Sequence, residues 1–385
     1  MNRRPSLALL GIASALFASG ALAQIAVSAN DNKATLDNGV NKVVANPAPD
    51  TVTILELGGA TPRVIAELNV PASVVGPPMS VAIAPDESIA LVTSASKVDP
   101  ADPSKVVADN RLSVIDLKAT PPAVIATLET GLGASGVSFN KQGTLVLVAN
   151  RNEGTISVFS VAGKTLTPAG KVKLGEKDSG PSHVMFTPDG RNALVTRDGD
   201  SVLSLLTVEG TKVESAKRDF FAGLRPYGLD ISSDGRIAVV ANIGRNVGDA
   251  DTVSVIDMQA RPVRTVETIT VGPTPEGIQL SPDGNFLAVV IHNGSGKAVE
   301  SPFYNPRGKL LVYRIEGFKP VKVAEAPIGR WSQGIAFSKD GRTILVQNML
   351  ERNIQVFRFD GTTLVDTGQR IQLNGGGAAI RTAKY

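Results

Sequence analysis

The sequence predicts an all-β protein, a seven-bladed β-propeller of four-stranded antiparallel blades, from three observations. The first is a repeated stretch: Ser80–Glu87, Gly136–Gly143, His183–Gly190, Gly228–Gly235, Gly277–Gly284 and Gly334–Gly341. Each runs from a mostly small residue through a short apolar strand into a tight turn such as Pro188-Asp189-Gly190 or Pro282-Asp283-Gly284. The turns recur at intervals of 45–57 residues, close to the length of one blade. The second is that further strands follow each turn at matching places. The third is the absence of capped helical periodicity after the N-terminal segment. A unit of this size cannot bury its own apolar faces, so copies must stack and close around an axis.

Second strands follow the turns at Leu145–Ala149, Ala193–Thr196, Ile237–Ala241 and Ile344–Gln347. Third strands are read at Thr51–Leu55, Leu112–Asp116, Thr155–Phe159, Thr252–Asp257, Leu310–Arg314 and Ile354–Phe359. More polar fourth strands close the units, as at Val124–Leu128 and Val266–Val271. Val, Ile and Leu at alternate positions fit half-buried strands. Six units are complete and a seventh is divided: Val43–Val70 supplies later strands, and Ala378–Tyr385 is an alternating strand at the other terminus. Pairing the C-terminal strand with the N-terminal strands closes the ring without an open edge. Ile25–Asp31 also reads as an innermost strand and turn, so two segments compete for one slot; the C-terminal strand is favoured for it.

Residues 1–23 read as an export signal, with Arg3 and Arg4 at the basic end, Leu7–Phe17 as the apolar run and Ala21-Leu22-Ala23 as the cleavage site. Residues 24–385 then form one propeller domain, expected as a monomer in the periplasm or outside the cell. The apolar run is too short and alanine-rich for a membrane span, and no later stretch is longer. Cleavage after Ala23 takes away two arginines and lowers the formal charge from +3 to +1. That balance argues against a nucleic-acid partner. The chain has no cysteine, which excludes disulfides, thiolate nucleophiles, iron–sulfur clusters and covalently attached c-type haem. Asp198-Gly199-Asp200 and Asp249-Ala250-Asp251 lack the spacing of a calcium loop. Two separated histidines are a poor zinc set. No metal and no cofactor are predicted.

Chemistry is expected on the rim that carries the loops leading into the innermost strands and the loops joining strands two and three. Three of the latter are long, Ala95–Asn110, Ile243–Asp251 and Gly294–Gly308, and extra length in a compact fold points to function. The position seven before each turn residue reads Ser80, Gly136, His183, Gly228, Gly277 and Gly334. One residue earlier stands a largely polar collar of Met79, Ser135, Ser182, Tyr227, Glu276 and Gln333. The ends of the second strands add Ser94, Asn150, Arg197, Asn242 and Asn348, with Arg151, Asp198 and His292 one step on. Arg225 and Arg330 begin two inbound loops. The ligand-binding candidates are therefore His183, Arg197, Arg225, Tyr227, Glu276, His292, Arg330 and Gln333. Arginines offer paired donors to a carboxylate, a histidine carries a proton near neutral pH, and Glu276 can act as a base. The same groups also fit a solvated funnel with no specific ligand.

Val148-Ala149-Asn150 followed by Thr155-Ile156-Ser157-Val158, and Val240-Ala241-Asn242 followed by Val253-Ser254-Val255-Ile256-Asp257, resemble YVTN-repeat and lactonase-like seven-bladed propellers. The resemblance covers nearly the whole chain after residue 23. Gly180-Pro181-Ser182-His183 is similar to the lactonase motif Gly-Pro-Arg-His, with Ser182 where that family has arginine. The family's acidic residue after the second-strand asparagine is also missing, since Asn150 is followed by Arg151 and Asn242 by Ile243. The resemblance implies His183 as a catalytic candidate, with Arg225 and Glu276 as substitutes for the missing pair. Two functions follow: an exported binding or scaffold protein holding a protein partner or a small anionic ligand on the channel rim, or a hydrolase of small sugar-acid lactones. The departures fall on the residues that would do the chemistry, so binding is the preferred expectation.

Overall fold

The protein is described by a computed structural model covering residues 24–58 and 61–385; the export signal read at residues 1–23 lies outside the described residues. Seven four-stranded antiparallel sheets form the blades. In blade 1 the strand order from the axis outward is Gly376–Thr382, Ile25–Asp31, Thr51–Glu56 and Arg63–Asn69. The C-terminal strand is innermost, as expected, and pairs with Ile25–Asp31 from Ala26 opposite Thr382 to Asp31 opposite Gly376. Ile25–Asp31 is therefore the second strand, and the two segments fill adjacent slots rather than one. Blades 2 to 7 begin with innermost strands at Val81–Ile83, Ala134–Phe139, Pro181–Phe186, Pro226–Ile231, Pro275–Leu280 and Ser332–Phe337.

The repeated turns owe their shape to local chemistry. In blade 6, Gly284 N donates to the Ser281 carbonyl at 2.8 Å, and Asn285 N donates to Asp283 Oδ1 at 3.0 Å. The turn's last residue must adopt a left-handed backbone, and Gly143, Gly190, Gly235, Gly284 and Gly341 all have φ near 70°. Glu87, at φ 53°, is the one repeat position that does this without glycine.

Seven apolar clusters hold the ring, one between each pair of neighbouring blades among the described residues. Ala26, Leu55 and Ile380 of blade 1 pack with Leu345, Ile354 and Val356 of blade 7, so the closing contact resembles every other. Each sheet is thus covered on both faces. The second strands are mostly buried, and Leu145–Asn150 and Ile237–Asn242, buried along their whole length, begin with continuous apolar stretches. Alternating exposure is confined to outer strands such as Arg264–Gly272.

The expected Ala95–Asn110 loop is mostly strand, because Ile89–Val98 and Val106–Asp116 continue pairing into it. A hairpin lies where no long loop was expected, inside the blade 1 connection. Ala34–Asp37 pairs with Val40–Val43 through the two-residue turn Asn38-Gly39, whose φ values of 40° and 82° suit a tight hairpin. Its base is held by Lys33, which is 4% exposed and whose Nζ lies 3.2 Å from Asp31 and 2.9 Å from Asp50.

Candidate ligand-binding site

The innermost strands are entered through a recurring left-handed residue. In blades 3 and 4 it is Gly133 and Gly180; in blades 5, 6 and 7 it is Arg225, Thr274 and Trp331, at φ 56°, 58° and 48°. A side chain with this backbone is disfavoured, most of all a β-branched one. All three of these side chains line a cavity of about 360 Å³ at the channel mouth. At these three entries a strained backbone carries its side chain into the site.

Two arginines that line the cavity converge on Asp198, just past the second strand of blade 4. Arg151 of blade 3 reaches Asp198 with Nη1 at 2.9 Å from Oδ1, and Arg225 of blade 5 donates through Nη2 to Oδ2 at 3.1 Å. Ser182 Oγ donates to Asp198 Oδ1 at 2.6 Å and also accepts from Arg151 Nη1. Burial opposes the Asp198 charge, but Arg151, the Ser182 hydroxyl and Arg225 hold its carboxyl below the usual range. Arg151 also lies over the Tyr227 ring, 5.4 Å from its centroid. Two guanidiniums share one carboxylate, and Lys297 joins them on the wall.

Opposite stands an acid–imidazole pair. Glu276 Oε1 is 3.7 Å from His292 Nε2, and the two side chains are 13% and 9% exposed. Burial pushes Glu276 up to about 8, against Arg225, Arg151 and Gln333. Burial takes His292 down to about 4, against a backbone hydrogen bond to Ser332. At neutral pH both are uncharged, so the cavity keeps a surplus of positive charge. The Gln333 amide is oriented by its neighbours: its nitrogen donates to Glu276 Oε2 at 2.9 Å, while its oxygen accepts from Trp331 Nε1 and His292 Nε2, each at 3.3 Å.

The blade 1 hairpin roofs this cavity with Leu36, Gly39 and Asn41. Its tip crosses past blade 7 to the Gly294–Gly308 connection of blade 6. Val299 N donates to Asn38 Oδ1 at 2.9 Å, and Asn38 Nδ2 donates to Glu300 Oε2 at 3.0 Å. Gly39 sits so close that a Cβ there would lie 2.4 Å from Ala298 N.

The cavity brings together Arg225, Tyr227, Glu276, His292 and Gln333 of the expected ligand-binding set. Arg330 stays outside, pairing through Nε with Glu351 Oε1 at 2.9 Å. Arg197 forms a clasp within blade 4, with Nη1 2.9 Å from Asp219 and 3.1 Å from Ser204 and with Nη2 against Asp200 and Ser179. Asparagine does the same work in blades 1, 3, 5 and 7, and in blade 1 Asn30 Nδ2 donates to Thr51 and Thr53. Asn150 Nδ2 donates to Thr155 and Ser157, Asn242 Nδ2 to Thr252 and Ser254, and Asn348 Nδ2 to Asn353 and Gln355. The recurring second-strand asparagine is thus a fastener between strands two and three. His183 lies toward the opposite end of the channel, where it lines a separate chamber with Arg381, Lys384 and Tyr385, while its neighbour Ser182 bonds Asp198. Gly136 makes room for it; a Cβ there would lie 2.5 Å from His183 Cδ2.

Sequence reasoning placed Arg151 and Asp198 near the rim without choosing them, and it missed Lys297 and the hairpin. Asn38-Gly39 beside Val40 is the short-range hairpin signal that was available.

No protein-family model and no curated protein sequence matches the chain. Solved structures do. A Bacteroides uniformis protein provisionally named a 6-phosphogluconolactonase superposes with a TM-score of 0.71 at 18% identity, over 94% of this chain and 99% of that one. The periplasmic gluconolactonase of Pseudomonas aeruginosa gives 0.67 at 18% identity, again over 94% and 99%. Hydrazine synthase from Kuenenia stuttgartiensis gives 0.62 at 16% identity, over 82% of this chain and 92% of that one. Proteins with such different names share the architecture, so likeness at these identities establishes the propeller fold and leaves activity to the site.

Proposed function

We propose that this chain is an exported propeller that binds a small organic anion in the mouth cavity. The observation that carries this reading is the pairing of Arg151 and Arg225 on the single carboxylate of Asp198, with Lys297 nearby and Glu276 protonated at neutral pH. A ligand carboxylate or phosphate would meet donors already in place, at little ordering cost. Tyr227 and Trp331 supply flat apolar surface beside those donors. The concave shape favours a small ligand over a protein partner on this rim.

A second reading, hydrolysis of a sugar-acid lactone, is favoured by the Glu276–His292 pair and by the names of two of the similar structures. Glu276, once ionised as pH approaches about 8, would take a proton from water as the water oxygen attacks the lactone carbonyl. Arg151 and Arg225 would face the oxyanion, and the ring oxygen would leave with the proton returned from Glu276.

Thermal-shift titration of residues 24–385 with sugar acids, their lactones and phosphorylated sugars tests the proposal. A midpoint that rises with ligand concentration, and a rise lost in Arg225→Gln, supports binding at the mouth. Lactone consumption that Glu276→Gln abolishes while acid binding persists selects the hydrolase. No shift with any anion overturns the anion reading.

A further inference from the structure

We propose that the small chamber at the far end of the channel holds a small monovalent anion, such as chloride, on the Arg381 guanidinium. The chamber measures about 40 Å³ and is lined by His183, Asp230, Gln279, Arg381, Lys384 and Tyr385, among others. It is separate from the mouth cavity, and the inference does not depend on what binds there.

Arg381 projects from the C-terminal strand and is 9% exposed. Its side chain makes no hydrogen bond or ion pair among the described residues, and Nη2 is buried without a partner. His183 Nδ1, in the same chamber, is also buried and unpartnered. The carboxylate whose field reaches Arg381 belongs to Asp230, and it is already engaged. Asp230 Oδ1 accepts from Lys384 Nζ at 2.7 Å and from Ile231 N at 3.0 Å, while Oδ2 accepts from Leu280 N at 2.8 Å. Burial, with Arg381 and Lys384 nearby, keeps His183 neutral well below its ordinary range. Two cations therefore face one carboxylate, and the Arg381 side chain lies nine-tenths buried.

Buried charges in proteins are paired, because water molecules can complete hydrogen bonds but cannot neutralise a guanidinium. A water needs roughly 10–15 Å³ measured this way, so the chamber admits a few waters or one small anion beside a water. It excludes sugar acids. The C-terminal residues form its floor: Tyr385 Oη donates to the Phe186 carbonyl at 3.5 Å, and Lys141 Nζ lies 6.0 Å from the Tyr385 ring centroid. Beneath it opens a vestibule of about 490 Å³ where Lys118, Lys141, Lys339 and Lys384 outnumber Asp86 and Glu87. That field draws anions toward the chamber.

Crystals of the protein soaked in bromide should show an anomalous peak within hydrogen-bonding distance of Arg381. In solution, the chloride NMR line should broaden with protein, lose that broadening in Arg381→Gln and lose part of it in Lys384→Met. Arg225→Gln, at the mouth, should leave the Arg381-dependent broadening intact. An empty chamber, bromide at the mouth arginines alone, or a bromide peak without solution broadening that depends on Arg381 overturns the proposal. Should Arg381→Gln fail to fold, the soaked wild-type crystal and Lys384→Met decide the matter.

Discussion

Glu276 Oε1 and His292 Nε2 face each other across 3.7 Å in a nearly buried setting, and burial moves their pKa values in opposite directions. The folded protein keeps a proton on Glu276 up to about 8 that the unfolded chain releases near 4.5. Its contribution to stability is therefore lost as pH rises through that interval. The unfolded chain takes up a proton on His292 near 6.5 that the folded protein resists down to about 4, so that contribution falls as pH drops. The two oppose each other between about 4.5 and 6.5, and Glu276 acts alone between about 6.5 and 8. Stability should decline there with a slope of at most ~1.4 kcal/mol per pH unit. Urea melts at stepped pH should show the decline in wild type and its loss in Glu276→Gln; parallel curves would remove Glu276 as the source.

The same proton controls the charge of the cavity. Anion affinity should weaken as pH rises through about 8, when Glu276 gains its negative charge beside the arginines. Arg225→Gln should weaken binding at neutral pH about tenfold or more, the scale of a lost charged hydrogen bond. Calorimetric titration of the ligand found by thermal shift reads both effects. His183→Ala should bind that ligand normally, since His183 lies toward the other end of the channel.

Asn242 and Arg197 belong to the frame. Asn242→Ala removes two 3.0 Å hydrogen bonds, to Thr252 and Ser254, and should cost about 2 kcal/mol. Arg197→Gln removes its hydrogen bonds to Asp219, Asp200 and Ser204, leaving the Ser204–Asp219 bond, and should destabilise by about as much. Neither should change ligand affinity. A Kd that moves with Arg197→Gln would return this arginine to the site.

The hairpin is a roof that can be loosened locally. Gly39→Ala places a methyl group against Ala298 at a residue with φ 82°, so the tip should lift from the blade 6 loop. Faster ligand release with a nearly unchanged melting temperature is expected by stopped flow. A large loss of stability would make the hairpin part of the ring's frame instead.

Deleting Ala378–Tyr385 removes most of the innermost strand of blade 1 and the Ile380 contact with blade 7. The ring then has an open edge, and the cooperative melt should disappear. An unchanged transition would mean that Ile25–Asp31 and the outer strands close the ring unaided.

What the sequence determined by itself was whatever depends on local chemistry repeated in register. Glycine and aspartate at the turns, apolar runs between them and a fixed spacing are enough to specify blades, their number and the C-terminal closure. Tyr227, Glu276, His292 and Gln333 were legible for the same reason, since register places a side chain on a rim. Register gives neither direction across the axis nor partner. Only the tertiary structure showed that Arg151 and Arg225, two blades apart, meet on Asp198, and that His183 turns away from His292. It alone separated Arg197 and the second-strand asparagines, whose hydrogen bonds lie within a blade, from residues that face the cavity. A ring of near-identical blades repeats the same local code seven times, so the differences that make a site arise where side chains from several blades converge in space.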